Sequence, residues 1–155
     1  MRQGDLALLQ TDAAERLLQS TIPARLAYSW HDGTPRVVPI WFHWDGADLV
    51  VASVASAPKV KAIESNPDVA LTIDDSTFPH DVLLVRGRAT VTKSTGVVPE
   101  YAAAAKRYFG DEQGEAWVAQ LPADGVMARV AVRPTWAGLL DFKTRFPSAL
   151  GGVQD

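Results

Sequence analysis

Two lysines, Lys59 and Lys61, stand where a helix is expected to start, directly after the small-residue run Ser53-Val54-Ala55-Ser56-Ala57-Pro58. Cationic side chains in a first helical turn oppose the positive end of the helix dipole. An anion bound there removes the conflict. Free N–H groups of the first turn, a hydroxyl from Ser53 or Ser56, and the two ammonium groups are all donors suited to a phosphate. The competing reading is a solvated helix face that carries two ordinary surface lysines.

The remaining candidates for chemistry are weaker. His31, His43 and His80 share no short spacing, so no metal site is expected. The adjacent carboxylates Asp74 and Asp75 read as a turn cap rather than an acid–base pair. There is no glycine-rich phosphate loop, no nucleophile elbow and no cysteine. Nothing in the chain therefore marks a side chain for covalent catalysis, and no catalytic residue is assigned.

The elements that must hold the lysine segment follow from turn signals and periodicity. Asp12 with Glu15 reads as a capping-box-like start of a short helix that ends near Ser20 to Pro23. Strands are expected over Ala24 to Trp30, Arg36 to Trp44 and Leu49 to Val54. The last two are joined at Asp45-Gly46, and the three should form an antiparallel meander. Pro58 suits the first turn of a helix that runs Lys59 to Ser65 and stops at Asn66-Pro67. Val69 to Ile73 and Val82 to Thr92 read as strands, with Asp74 to Asp81 as a loop and Gly87 as a bulge or bend. Helices are expected over Pro99 to Phe109 and Glu112 to Leu121, broken at Gly110. Val126 to Val132 and Thr135 to Phe142 read as a strand pair or one bent strand, with Pro134 interrupting a regular ladder. The stretch from 147 to 155 reads as a loose tail. Six or so antiparallel strands must close on themselves or be covered to hide their edges, which a small barrel with outer helices achieves.

Composition sets the outer bounds. The 155 residues are 47% hydrophobic and 21% charged, the balance of one globular domain with its own core. The formal charge of -3, with no basic run, argues against nucleic-acid binding through phosphate neutralisation. No stretch reads as a signal peptide or a membrane span, so the expected location is the cytoplasm.

Four pieces in order and spacing carry a resemblance that covers residues 17–142. They are Gly33 to Gly46, with its Val38-Pro39-Ile40-Trp41 core; Ser53 to Lys61; Asn66 to Leu71; and Val85 to Val91. Together they resemble the pyridoxamine 5′-phosphate oxidase-like superfamily, including its flavin and deazaflavin oxidoreductases. That resemblance implies a single split β-barrel domain in a homodimer, with two cofactor sites at the subunit interface. The cofactor would be FMN or, alternatively, coenzyme F420. Lys59 then matches the lysine that grips the cofactor phosphate, Lys61 a basic neighbour, and Ser53 a small hydroxyl residue before the loop. Val38, Pro39, Ile40 and Trp41 match the strand along the isoalloxazine ring, with Phe42 facing the core. In related proteins the C-terminal strand and tail approach the partner's cofactor, so Trp136, Lys143 and Arg145 become candidates for shaping the pocket. Arg36, Lys61 and Arg145 could meet the acidic tail of F420. The implied activity is oxidoreduction of an unidentified small molecule, the alternative being a non-catalytic carrier or sensor. The tail has Arg145 without a nearby histidine, which departs from true pyridoxamine 5′-phosphate oxidases and puts vitamin B6 phosphate oxidation in doubt.

Overall fold

The computed structural model describes residues 1–154. Its elements are α1 (Asp12–Leu18), β1 (Ala24–Ser29), β2 (Pro35–Ile40), β3 (His43–Trp44), β4 (Leu49–Val54), α2 (Pro58–Ser65), β5 (Asp68–Asp74), β6 (Val82–Thr95), α3 (Pro99–Phe109), α4 (Asp111–Ala119) and β7 (Val126–Leu140). Short 3₁₀ turns lie at Leu6–Gln10 and Ser148–Leu150. In β6, buried Leu83, Val85 and Ala89 alternate with exposed Arg86, Arg88 and Thr90, the period of a strand with one face on a core.

All pairings are antiparallel, in the order β2-β1-β5-β6-β7-β4-β3. The β6–β7 hairpin is the spine, and it is creased in the middle. Its register shifts between Arg86 and Gly87, so that Gly87 faces Pro134 while Arg86 faces Trp136. Thr135 is the extra residue. Proline cannot donate to the ladder, and a Cβ at Gly87 would come 2.5 Å from the Arg133 carbonyl oxygen. β5 pairs with residues 82–88 of β6, mainly on one side of this crease and two residues past it. On the other side, β4 pairs with residues 127–132 of β7.

The two edge strands of this sheet, β2 and β3, are separated in the chain by Trp41 and Phe42 alone. The sheet must therefore curl until its ends approach, yet β2 and β3 share no ladder. The result is a mainly β, split β-barrel, plugged by Phe42, Leu26, Leu49, Ile73, Leu83 and Val132, all essentially solvent-free. No helix among the described residues is long and apolar enough to cross a membrane.

Several sequence expectations need correction. The run Arg36 to Trp44 is not one strand. It breaks at Trp41-Phe42, because Phe42 turns inward to fill the core, and its halves lie at opposite ends of the sheet. The expected three-strand meander is broken there too, since β4 pairs with β3 and β7. Of the two readings of the last strand, the single bent strand holds: it is one 15-residue element, and the ladder resumes beyond Pro134 through the bulge. The first helix is capped by Thr11, whose hydroxyl accepts from the Ala14 N–H, one residue before the expected start. Residues before 17, where the resemblance starts, also pack into the domain. Leu8 is fully buried, and the Gln3 amide both donates to the Leu139 carbonyl at 2.7 Å and accepts from the Leu139 N–H at 2.9 Å. The tail beyond 146 makes a 3₁₀ turn and pairs Val153 with Arg145. The last residue of that expected loose tail, Asp155, lies outside the described residues.

Candidate functional site

The gap between β2 and β3 creates the site. Trp41 occupies that gap, and α3 covers it. Pro99 opens α3 at a position where no N–H is needed, and Lys106 and Arg107 in its last turn suit the negative end of the dipole. Arg107 then fastens the helix to the barrel. Its Nε donates to the Ser20 carbonyl at 2.9 Å, its Nη2 donates to the Phe42 carbonyl, and its guanidinium lies 4.7 Å above the Phe42 ring. The Tyr108 hydroxyl donates to the Ile22 carbonyl at 3.0 Å, and burial pushes its phenol pKa up.

These anchors present an aromatic wall. Trp41 stacks on Tyr108, with centroids 5.2 Å apart and planes 10° from parallel, and meets Phe109 edge-on at 4.9 Å. Helix α4 closes against α3 through Gly114, where a Cβ would lie 2.6 Å from the Lys106 Cα. This approach brings Trp117 within reach of Tyr101, and its indole Nε1 donates to the Tyr101 hydroxyl oxygen at 2.9 Å.

Below the wall runs a groove in two parts. One, of about 390 Å³, is bordered by Pro23, Pro39, Ile40, Trp41, Ala52, Tyr101 and Trp117. The other, of about 500 Å³, is bordered by Ala52, Ser53, Val54, Ser56, Tyr101 and the turn from Leu121 to Met127. Ala52 and Tyr101 border both, so the two parts adjoin. Each lies in the size range of small-molecule sites.

The structure thus brings Pro39, Ile40, Trp41 and Ser53 to one groove. Val38 is half-buried and packs against the core instead. Lys59 and Lys61 do not border the groove. They follow Ser56 by three and five residues, in the first turn of α2, which has Pro58 at its start and no side-chain cap. Lys59 is partly buried and Lys61 exposed. Among the described residues neither ammonium group is ion-paired, whereas nearby Lys93 is tied to Glu64 at 3.0 Å.

Trp136 and Arg145 lie apart from the groove within this chain. Val54 pairs with Met127, and Trp136 is nine residues further along β7, about 30 Å of extended chain. Trp136 packs between Gly4 and Gly138, with the Arg86 guanidinium 4.1 Å over its ring. Arg145 donates to the Met1 carbonyl at 3.0 Å. The Asp75 carboxylate accepts from the Thr77 N–H, which lowers its pKa and agrees with a turn cap. Asp74 instead ends β5 in an ion pair with Arg25 at 2.9 Å.

One pair beside the groove was not anticipated. Arg129, opposite Ala52 in the β4–β7 ladder, donates to Glu100 of α3 at 2.8 Å, and this contact lowers the Glu100 pKa. The second Glu100 oxygen, Oε2, is buried without a partner among the described residues. An acidic residue in a first helical turn is legible in sequence. Its partner, 29 residues away, is set by the way α3 packs on the sheet.

Residues 10–141 match the family model described as pyridoxamine 5′-phosphate oxidase. The chain belongs to that family. A solved structure titled F420 reductase is 30% identical, with 80% of this chain and 94% of that chain covered and a TM-score of 0.61. A conserved hypothetical protein from Mycobacterium tuberculosis is 18% identical over 86% of each chain, with a TM-score of 0.67. The heme storage protein HutZ from Vibrio cholerae is 18% identical, over 82% of this chain and 90% of that one, with a TM-score of 0.56. At that identity the last two show a shared fold. A comparison with curated protein sequences found no match.

Proposed function

We propose that the groove holds a flavin-type cofactor, FMN or coenzyme F420, and that the protein is an oxidoreductase acting on a small molecule. The observation that carries this reading is the shared border at Ala52 and Tyr101 where the two parts of the groove adjoin. The groove runs from the Pro39-Ile40-Trp41 strand end, past Tyr101, to Ser53 and Ser56, and an unpaired Lys59 follows at the uncapped start of α2. A planar ring fits between the β2 edge and the aromatic wall, and a phosphate fits the hydroxyl and ammonium end. The 30%-identical F420 reductase supports the deazaflavin among the two cofactors.

When bound, such a cofactor supplies hydride or electron transfer. The residues of this chain bind and orient it. Lys59 and Lys61 would neutralise the phosphate, and the Ser53 hydroxyl would donate a hydrogen bond to it. The β2 end and Trp41 flank the ring and exclude water from one side of it. Two copies in a homodimer would let Trp136, Lys143 and Arg145 complete the partner's pocket, since these residues border neither part of the groove of their own chain.

Lys59→Ala tests the phosphate clamp. Loss of a charge-assisted contact is worth about 1.5–3 kcal/mol, so the cofactor Kd should rise by about one to two decades. An unchanged Kd returns Lys59 to a solvated helix face. Reduction of a bound cofactor by a donor in stopped flow supports turnover, and binding without reduction supports a carrier.

A further inference from the structure

One hydroxyl in the groove is only half committed by the fold. Tyr101 borders both parts of the groove. A phenol has one hydrogen to give and an oxygen that accepts, whereas indole N–H only donates. Trp117 Nε1 donates to the Tyr101 oxygen at 2.9 Å, and among the described residues nothing accepts the Tyr101 hydrogen. Tyr108, about two turns further along the same face of α3, shows the alternative, because its hydrogen is committed to the Ile22 carbonyl. Around Tyr101 the Trp41 part of the groove is bordered by proline, isoleucine, alanine and tryptophan, with no charged side chain. An oxygen placed there can accept from the Tyr101 O–H or from the Trp41 indole N–H, the two side-chain donors on this border whose hydrogens no described residue accepts.

We propose that Tyr101 is a specificity-determining hydrogen-bond donor of this groove. It donates to a carbonyl oxygen on an uncharged, planar, conjugated ring, and Trp117 acts as the positioning residue for its phenol. The proposal rests on the reading that the groove holds a flavin-type ring. The aromatic border made by Trp41, Tyr101 and Trp117 favours a flat ring over an aliphatic one. Absence of charge in the lining favours a neutral group, since a buried unpaired ion is costly. A conjugated carbonyl has two sources: the edge of the cofactor ring, or an acceptor molecule stacked on it. At 39% exposed, Trp117 forms the lip over which a second molecule would enter.

Tyr101→Phe removes the O–H and keeps the ring. Titration of this variant and the wild type with FMN and with F420 reads the first source. Titration of the cofactor-loaded proteins with 2-methyl-1,4-naphthoquinone reads the second. Loss of one hydrogen bond should raise the relevant Kd about three- to tenfold. A rise in the cofactor Kd assigns the oxygen to the cofactor. A rise confined to the quinone Kd assigns it to the acceptor. If neither Kd changes by more than about twofold while the wild type binds cofactor, the proposal is overturned alone. If the wild type binds neither cofactor, the underlying reading is overturned and the proposal with it. Trp117→Phe should weaken the same ligand when Tyr101 is present and have a smaller effect in the Tyr101→Phe background. Equal effects in both backgrounds would show that Trp117 is wall only, and would overturn its positioning role.

Discussion

Replacing Gly114 by alanine should destabilise this protein, although helix propensity alone argues the reverse. Gly114 lies inside α4, where alanine is ordinarily favoured over glycine by about 1 kcal/mol. Here the added Cβ would meet three backbone atoms of α3. They are the Lys106 Cα at 2.6 Å, the Lys106 nitrogen at 2.7 Å and the Ala105 carbonyl carbon at 2.8 Å. Backbone of a packed helix cannot rotate away as a flexible side chain would. The helices must separate, at a cost of about 1–3 kcal/mol for overpacking. Set against the propensity gain, the net loss is about 1 kcal/mol. With a urea m-value of about 2 kcal/mol/M, the unfolding midpoint falls by about 0.5 M. Separation also draws Trp117 from Tyr101, so cofactor affinity should fall in the same variant under native conditions. Urea unfolding at equilibrium, read by far-UV circular dichroism, checks the first effect. A midpoint that rises by about 0.5 M would refute the close approach of α3 and α4, and with it the account of how the aromatic wall is held.

Two further substitutions probe the supports of the site. Arg107→Met removes the donors to the Ser20 and Phe42 carbonyls and should cost about 2–3 kcal/mol in urea unfolding, with one of those carbonyls left in a dry position; a loss below about 0.5 kcal/mol would show that α3 is held by packing alone. Asp141 titrates at about 2 rather than 3.8. Burial alone would raise it, but the N–H groups of Lys143, Arg145 and Thr144 and the Thr144 hydroxyl outweigh that effect. Because the folded-state pKa is depressed, its stabilisation is present above about pH 3.8 and is lost as the pH falls through about 2. Allowing for solvent screening, Asp141→Asn should lower stability by about 1 kcal/mol at pH 6, and the gap from wild type should narrow towards pH 2. A gap independent of pH would contradict the hydrogen-bonded turn.

Much of the fold was legible because its signals are local. The Asp45-Gly46 hairpin, the Pro58 and Pro99 helix starts and the Gly87 bulge each depend on one or two residues whose backbone preferences are strong. The break at Trp41-Phe42 was not legible. A Val-Ile-aromatic run reads as one strand, and only the need to close the sheet, with Phe42 filling the barrel, divides it. Ser53, Pro39, Ile40 and Trp41 could be named as candidates because the loop and strand that carry them are contiguous pieces of sequence, and they border the groove. The Glu100–Arg129 pair, the Arg107 fastening and the Tyr101–Trp117 contact were missed because each joins residues brought together only by the packing of α3 and α4. Trp136 and Arg145 had aromatic and basic character in their favour, but strand length carries them away from the groove of their own chain.

The central claim is that the groove from Trp41 to Ser53 holds a flavin-type cofactor with its phosphate at Lys59. Titration of the purified protein with FMN and with F420, followed by the cofactor's own absorbance and fluorescence, tests it most directly. The account predicts saturable binding of at least one of them, one cofactor per chain, and a Kd raised by about one to two decades in Lys59→Ala. No spectral change with either cofactor, or binding that is indifferent to Lys59, would contradict it.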